Sequence, residues 1–280
     1  MFQQMEQRLQ ALPGKIGIYA ACPETGQCWT KAPDMPMMAA SVIKLTIMVE
    51  AFRQRHEGNI DFAEPATIRR EDKLPSCGAL TYLHDGVTVT LGDLVTLMII
   101  LSDNTATNLL IDKLGMENIN RTIVAHGWTN TRLNRKLFQP ELAKQGVENY
   151  VSARDMGSLL EGLLAGRIIS PEDSVEMLDI LRKQRLNGKI PFFLHSHGIV
   201  CAHKTGEDDG ITHDVGIIFT EKPWVLCFLS NETEVPLAER AMQDMAALLA
   251  GLCGCALRSM DWLCPHCTGV PGPALRRDTD

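Results

Sequence analysis

The chain has 280 residues, 45% of them hydrophobic and 22% charged, enough to bury a substantial core without metal or disulfide support. Lys and Arg number 27 against 34 Asp and Glu, and the formal charge of -7 opposes a phosphate backbone where no local basic patch is present, so nucleic acid is excluded as a partner. The longest apolar run, residues 245–257, is shorter than the roughly 18 residues a membrane-spanning helix needs, which excludes a membrane span. The polar first eight residues lack the basic start and apolar stretch of an export signal. As it stands the chain reads as cytoplasmic, and as periplasmic or extracellular if a leader has been removed. The cysteines, an odd number, then read as reduced thiols, with Cys22, Cys28, Cys77, Cys201 and Cys227 as core fillers in apolar surroundings.

Helical spacing at Met5, Leu9 and Leu12 is stopped by Pro13-Gly14, and residues 15–21 follow as a strand. Glu24-Thr25-Gly26 turns that strand back onto Gln27-Cys28-Trp29-Thr30, an antiparallel hairpin. From Ser41 to Arg55 the apolar positions cover too broad a stripe for a surface helix and predict a buried one. Residues 61–194 are mostly helical, with helices expected at 91–101, 104–114, 116–126, 153–165 and 171–184. Between them, 131–150 shows little periodicity and is long enough to be a structured functional loop. Strands return at 199–204, 213–219 and 224–229, and a last helix at 237–252 precedes a Cys-, Pro- and Gly-rich tail.

These elements predict an α/β (α+β) fold in one catalytic domain, residues 1–257. An antiparallel sheet flanked by the N- and C-terminal helices is built from 1–60 and 195–257, and an all-helical lobe, 61–194, is inserted between them. The cleft between the two lobes is the natural site. Residues 258–280 form the irregular tail.

Three short motifs carry chemistry. In Ser41-Val42-Ile43-Lys44 the i, i+3 spacing brings a hydroxyl and an amine to neighbouring positions on one helix face. The positive helix N-terminus and apolar surroundings both disfavour an ammonium, so Lys44 can take the Ser41 proton. The same two residues can equally be a helix cap and a snorkelling surface lysine. Ser102-Asp103-Asn104 joins two helices; as chemistry, Ser102 relays a proton to a leaving group and Asn104 holds a substrate carbonyl, whereas structurally the turn is a helix cap. Lys204-Thr205-Gly206 ends a strand, where Lys204 and Thr205 can bind a substrate carboxylate and Gly206 leaves room for an acyl group along the strand edge.

Each motif alone is common, but the ordered triple, each member in its fitting element, is not. With it the chain resembles the class A serine β-lactamases and, more distantly, the penicillin-binding proteins, from about residue 1 to 257. The resemblance implies that Ser41 forms an acyl-enzyme, that Lys44 activates it and that Ser102 passes the proton to the leaving nitrogen. It further implies that Asn104 holds the substrate amide, that Lys204 and Thr205 receive the carboxylate beside Gly206, and that the backbone N–H groups of Ser41 and Glu207 form the oxyanion hole. The substrate is then a small β-lactam or another acyl donor with a carboxylate, and no cofactor or metal is implied. A penicillin-binding-like ester or amide hydrolase, and a covalent acceptor that turns over slowly, are the alternatives.

The loop departs from the family. Where the family has Glu-x-Glu-Leu-Asn, this chain reads Phe138-Gln139-Pro140-Glu141-Leu142-Ala143, which sets Gln139 on the catalytic Glu and Ala143 on the Asn. An amide is no general base near neutral pH. Deacylation then falls to Glu141, if the loop is shifted in register, or to Lys44 acting in both half-reactions. In the tail, Cys253, Cys255, Cys264 and Cys267 are either a structural zinc or redox set or simply reactive thiols. His195, His197, His203 and His213 form no known ligand set and read as structural or solvent-facing.

Overall fold

A five-stranded antiparallel sheet draws its strands from both ends of the chain. The structure, a computed structural model, describes residues 2–252. After α1 (Phe2–Leu9), the strands β1 (Lys15–Cys22) and β2 (Gln27–Lys31) form the expected hairpin. The short β3 (Met37–Met38) is followed by a 3-10 turn at Ala40–Ile43 and then by α2 (Lys44–His56). Next come the strands β4 (Pro65–Ile68) and β5 (Val87–Thr90), and the helices α3 (Leu91–Ile100), α4 (Asn104–Leu114) and α5 (Met116–Ala125). The loop carries α6 (Pro140–Lys144) and leads to β6 (Tyr150–Val151), α7 (Ala153–Leu164) and α8 (Pro171–Arg182). The chain returns to the sheet with β7 (Val200–Asp208), β8 (Ile211–Phe219) and β9 (Trp224–Asn231) and closes on α9 (Val235–Leu249). Strand order is β2-β1-β9-β8-β7, which leaves β7 at an edge.

Every residue of β9 is buried, and all of β8 except Phe219, because both sheet faces are covered. Met5 and Leu9 of α1 and Met242 and Met245 of α9 pack on Ile18, Leu226 and Phe228 on one face. On the other face the larger core joins Val215, Ile217 and Cys227 to α2, α3, α4 and α7. Such double burial explains why these strands read as apolar runs with little alternation. The centre of the helical layer is α2, buried on nearly every side, as its broad apolar stripe predicts.

Some expectations are corrected. The buried helix does not start at Ser41: residues 40–43 form a tight 3-10 turn, and the α-helix begins at Lys44. Ala40 has φ +42°, so the chain arrives at Ser41 through a sharp left-handed step that a regular helix start would not allow. Two small sheets appear, β4 with β5 inside 61–194 and β6 of that stretch with β3 outside it, in strands of two to four residues, too short for alternation to be visible. Cys28 and Cys77 are exposed, unlike the buried Cys22, Cys201 and Cys227, since β2 is an edge strand and Cys77 sits on an open turn. Among the described residues no helix is long and apolar enough to cross a membrane. The tail cysteines lie outside the described residues.

Candidate active site

Ser41 lies in the 3-10 turn where the turn meets the edge strand β7. A Cβ on Gly206 would stand 3.1 Å from Val42 Cγ2 and 3.3 Å from the Ser41 backbone nitrogen, so a glycine lets the strand close on the serine. The Ser41 side chain caps no helix: the 3-10 turn carries no side-chain cap.

One helical step on, Lys44 is fully buried, and its Nζ donates to Ser102 O at 2.7 Å and Asn104 Oδ1 at 2.8 Å and lies 3.0 Å from Ser102 Oγ. Burial first, and the charge of Lys204 second, hold its pKa well below the ordinary lysine value. Lys204, also fully buried, lies 3.1 Å from Ser102 Oγ and donates to Thr205 O at 2.7 Å. Its pKa is pushed down to about 7 by burial, against the opposing pull of Asp214. One hydroxyl therefore bridges two amines that burial drives toward neutrality. A neutral amine has a lone pair, so either contact to Ser102 Oγ can run in the reverse direction, and the trio can pass a proton along its length.

Ser102 holds this place in a left-handed backbone, φ +54°, which a non-glycine residue adopts only when its surroundings impose it. Asp103 supplies that constraint. Its Oδ1 caps α4 at the Ala106 N–H (2.9 Å), and its Oδ2 accepts from Ala79 N (2.7 Å) and Leu80 N (2.9 Å). The facing Gly78 has φ +122°, and a Cβ there would collide with the Asp103 carboxylate. Leu74 N bonds to Thr105 Oγ1 and Asn104 N to Cys77 O, so residues 74–80 are strapped across the turn. The acid in the middle of Ser-Asp-Asn is thus a brace, a role the capping pattern hints at only in part.

Ser41, Asn104 and Glu207 line a cavity of about 420 Å³, with Lys44, Ser102 and Lys204 buried behind them. Thr205 is buried next to Lys204 in β7. The opposite wall is the loop, where Leu137, Gln139 and Ala143 face the cavity. Asn108 grips the Leu137 backbone from both sides, accepting from its N–H and donating to its carbonyl, each at 2.9 Å. Gln139 Oε1 is used within the loop, accepting from Lys136 N at 3.0 Å. Glu148 also lines the cavity but is tied to Arg135 at 2.6 Å.

Glu141 does not join this site. Its side chain is 79% exposed in the first turn of α6, 3.3 Å from Lys144, on the solvent side of the loop. Pro140 starts that helical turn and swings the next side chain outward, so the shift in register that would bring Glu141 to Ser41 does not occur. The histidines are structural where buried. His203 bonds to Asp214 and Asn187 behind Lys204, and His213 links Met38 O to Ser230 N, while His195 and His197 are exposed. Nothing in sequence spacing reveals Asp214, Asn108 or Asn187, because each acts on a partner distant along the chain.

A family model described as the β-lactamase enzyme family matches residues 1–252. A curated relative, the β-lactamase of Rhodobacter capsulatus, is 23% identical over 84% of this chain and 82% of its own length. Among solved structures, a β-lactamase from Sphaerobacter thermophilus DSM 20745 is 31% identical with a TM-score of 0.83, covering 91% of this chain and 99% of the other. A point variant of PBP-A, solved as an acyl-enzyme complex with penicillin G, is 26% identical with a TM-score of 0.78, over 90% and 96%. With that match extending over every described residue and the same architecture underneath, the chain belongs to the β-lactamase enzyme family and is a serine hydrolase of that kind.

Proposed function

We propose that the protein opens β-lactams by acylation of Ser41 and releases the acyl group slowly. The observation that carries the first half is the Ser102 hydroxyl held between two buried lysine amines, 3.0 Å from Lys44 Nζ and 3.1 Å from Lys204 Nζ. Neutral Lys44 takes the Ser41 proton as Ser41 Oγ bonds to the lactam carbonyl carbon. Collapse of the tetrahedral intermediate breaks the carbon–nitrogen bond, and the nitrogen takes its proton from Ser102, which Lys44 resupplies. The N–H groups of Ser41 and Glu207 carry the oxyanion, Asn104 holds the substrate amide, and Lys204 with Thr205 receives the carboxylate. A substrate carboxylate favours the charged form of Lys204, so binding above pH 7 takes up a proton at that amine.

Slow release follows from the other wall. The loop presents Leu137, Gln139 and Ala143 to the cavity, none of which can serve as a general base for water, and its carboxylate there, Glu148, is held by Arg135 at 2.6 Å. Of the two candidates for deacylation, the exposed Glu141 is out of position, which leaves Lys44.

Intact-protein mass spectrometry after mixing with a penicillin should show one adduct that Ser41→Ala removes, and nitrocefin should give a burst of one product per enzyme followed by a slow steady rate. No adduct across several β-lactams overturns acylation, and a fast linear nitrocefin rate without a burst overturns slow release. Turnover of a chromogenic ester with no reaction on nitrocefin would select a penicillin-binding-like hydrolase of another acyl donor.

A further inference from the structure

Among the described residues a third lysine, Lys189, is buried, and the reaction outlined above makes no use of it. It lies in the connection from α8 to β7, on the sheet face that α9 covers. Its Nζ donates to Gly206 O at 3.2 Å and His213 O at 3.3 Å, and it pairs with Glu207 Oε1 at 3.0 Å and Glu239 Oε1 at 3.7 Å. Glu239 is itself held by Thr212 Oγ1 at 3.0 Å. Lys189 is absent from the cavity lining, so it approaches the strand from behind.

The Gly206 carbonyl and the Glu207 N–H are opposite ends of one planar trans peptide and point in opposite directions. Gly206 pairs with His213 across β7 and β8, and its carbonyl turns to the Lys189 side. The Glu207 N–H is therefore directed out of the free edge of β7, the edge on which the Ser41 turn packs. An ammonium on the carbonyl oxygen draws electron density through the conjugated peptide and makes the N–H at the far end a better donor, because linked hydrogen bonds polarise one another.

We propose that Lys189 is a positioning residue for acylation: bound behind the Gly206–Glu207 peptide, it aims and strengthens the Glu207 N–H as an oxyanion donor. The inference rests on the proposed acylation of Ser41 and adds to it a group that touches neither substrate nor serine. No proton leaves Lys189 and no bond to it forms or breaks.

The test compares Lys189→Met, which keeps the bulk, with Lys189→Arg, which keeps the charge. In stopped-flow acylation by a penicillin, Lys189→Met should lower the acylation rate constant about two- to eightfold, the share that polarisation contributes to a donor whose full removal costs about 100- to 1000-fold. The dissociation constant of the initial complex should stay unchanged, and Lys189→Arg should recover most of the loss. The infrared carbonyl stretch of the acyl-enzyme should move to higher frequency in Lys189→Met, and the backbone 15N resonance of Glu207 in the free protein should shift upfield. A purely structural lysine would lower thermal stability and leave both spectroscopic signals in place, which overturns the inference. A raised dissociation constant with an unchanged acylation rate overturns it as well, since that marks recognition of the substrate carboxylate. If Lys189→Met does not fold, Lys189→Gln, which keeps a neutral donor, carries the same expectations. Failure of the wild type to acylate at all is a separate result and overturns the proposed function.

Discussion

On one wall of the cleft, Lys44, Ser102 and Lys204 hold one another in buried hydrogen bonds, braced by Asp103 below and backed by Asp214 and Lys189. On the facing wall, residues 131–149 are held by backbone straps from Asn108, Asn134 and Asn149, and Leu137, Gln139, Ala143 and the Arg135–Glu148 pair are among the residues that line the cavity. Burial of the first wall shifts two amines toward the neutral form, which is what a proton relay needs, whereas the second wall is equally well ordered and its one carboxylate at the cavity, Glu148, is already tied to Arg135. Order alone does not make a catalytic surface. The two halves of an acyl-transfer cycle can be served by walls of unequal chemical competence in one fold.

The largest effect should come from the first wall. Lys44→Met should slow acylation by about 100- to 10,000-fold, the usual cost of a positioned general base, as read by adduct formation in mass spectrometry. Retention of acylation within tenfold would remove Lys44 from the relay. The second wall should respond by gain. Leu137→Glu sets a carboxylate on a backbone that Asn108 already grips, and should raise the deacylation rate by about 100-fold, more than Gln139→Glu, whose amide serves inside the loop. If both leave deacylation unchanged, the wall lacks more than a base.

Asp103→Ala removes three buried charge-assisted bonds and should cost about 3 kcal/mol in urea unfolding. Smaller still is the pH effect. With the Lys204 pKa at about 7 in the folded chain and about 10.4 when unfolded, the unfolded state binds more protons between those values. Stability should therefore rise from pH 7 to about 8, and Lys204→Met should flatten the slope. Above that range the buried thiols of Cys201 and Cys227, held protonated by burial, work in the opposite direction. Smallest of all is Glu141→Gln, which should leave deacylation within about twofold, as an exposed side chain away from the site implies. A large accumulation of acyl-enzyme in that variant would return Glu141 to the mechanism.

The sequence by itself determined the elements and the reactive triple. Apolar periodicity located the N-terminal hairpin, the three C-terminal strands and the principal helices to within a few residues, because those signals are local and repeat over several turns. The three motifs were legible for the same reason, since each is a spacing within one turn or one strand, although β7 runs on past Lys204-Thr205-Gly206 to Asp208 instead of ending there. What only the tertiary structure decided is which groups face the serine. Glu141 and Gln139 stand two residues apart in a segment with no periodicity, and the Pro140 turn together with the Asn108 strap, a contact between residues 29 apart, determines that one looks at solvent and the other at the cavity. The exposure of Cys77 and the place of Lys189 behind the strand arise likewise from packing between distant segments. A hydrogen bond between remote residues leaves no local pattern, and it is such bonds that orient the walls of the cleft.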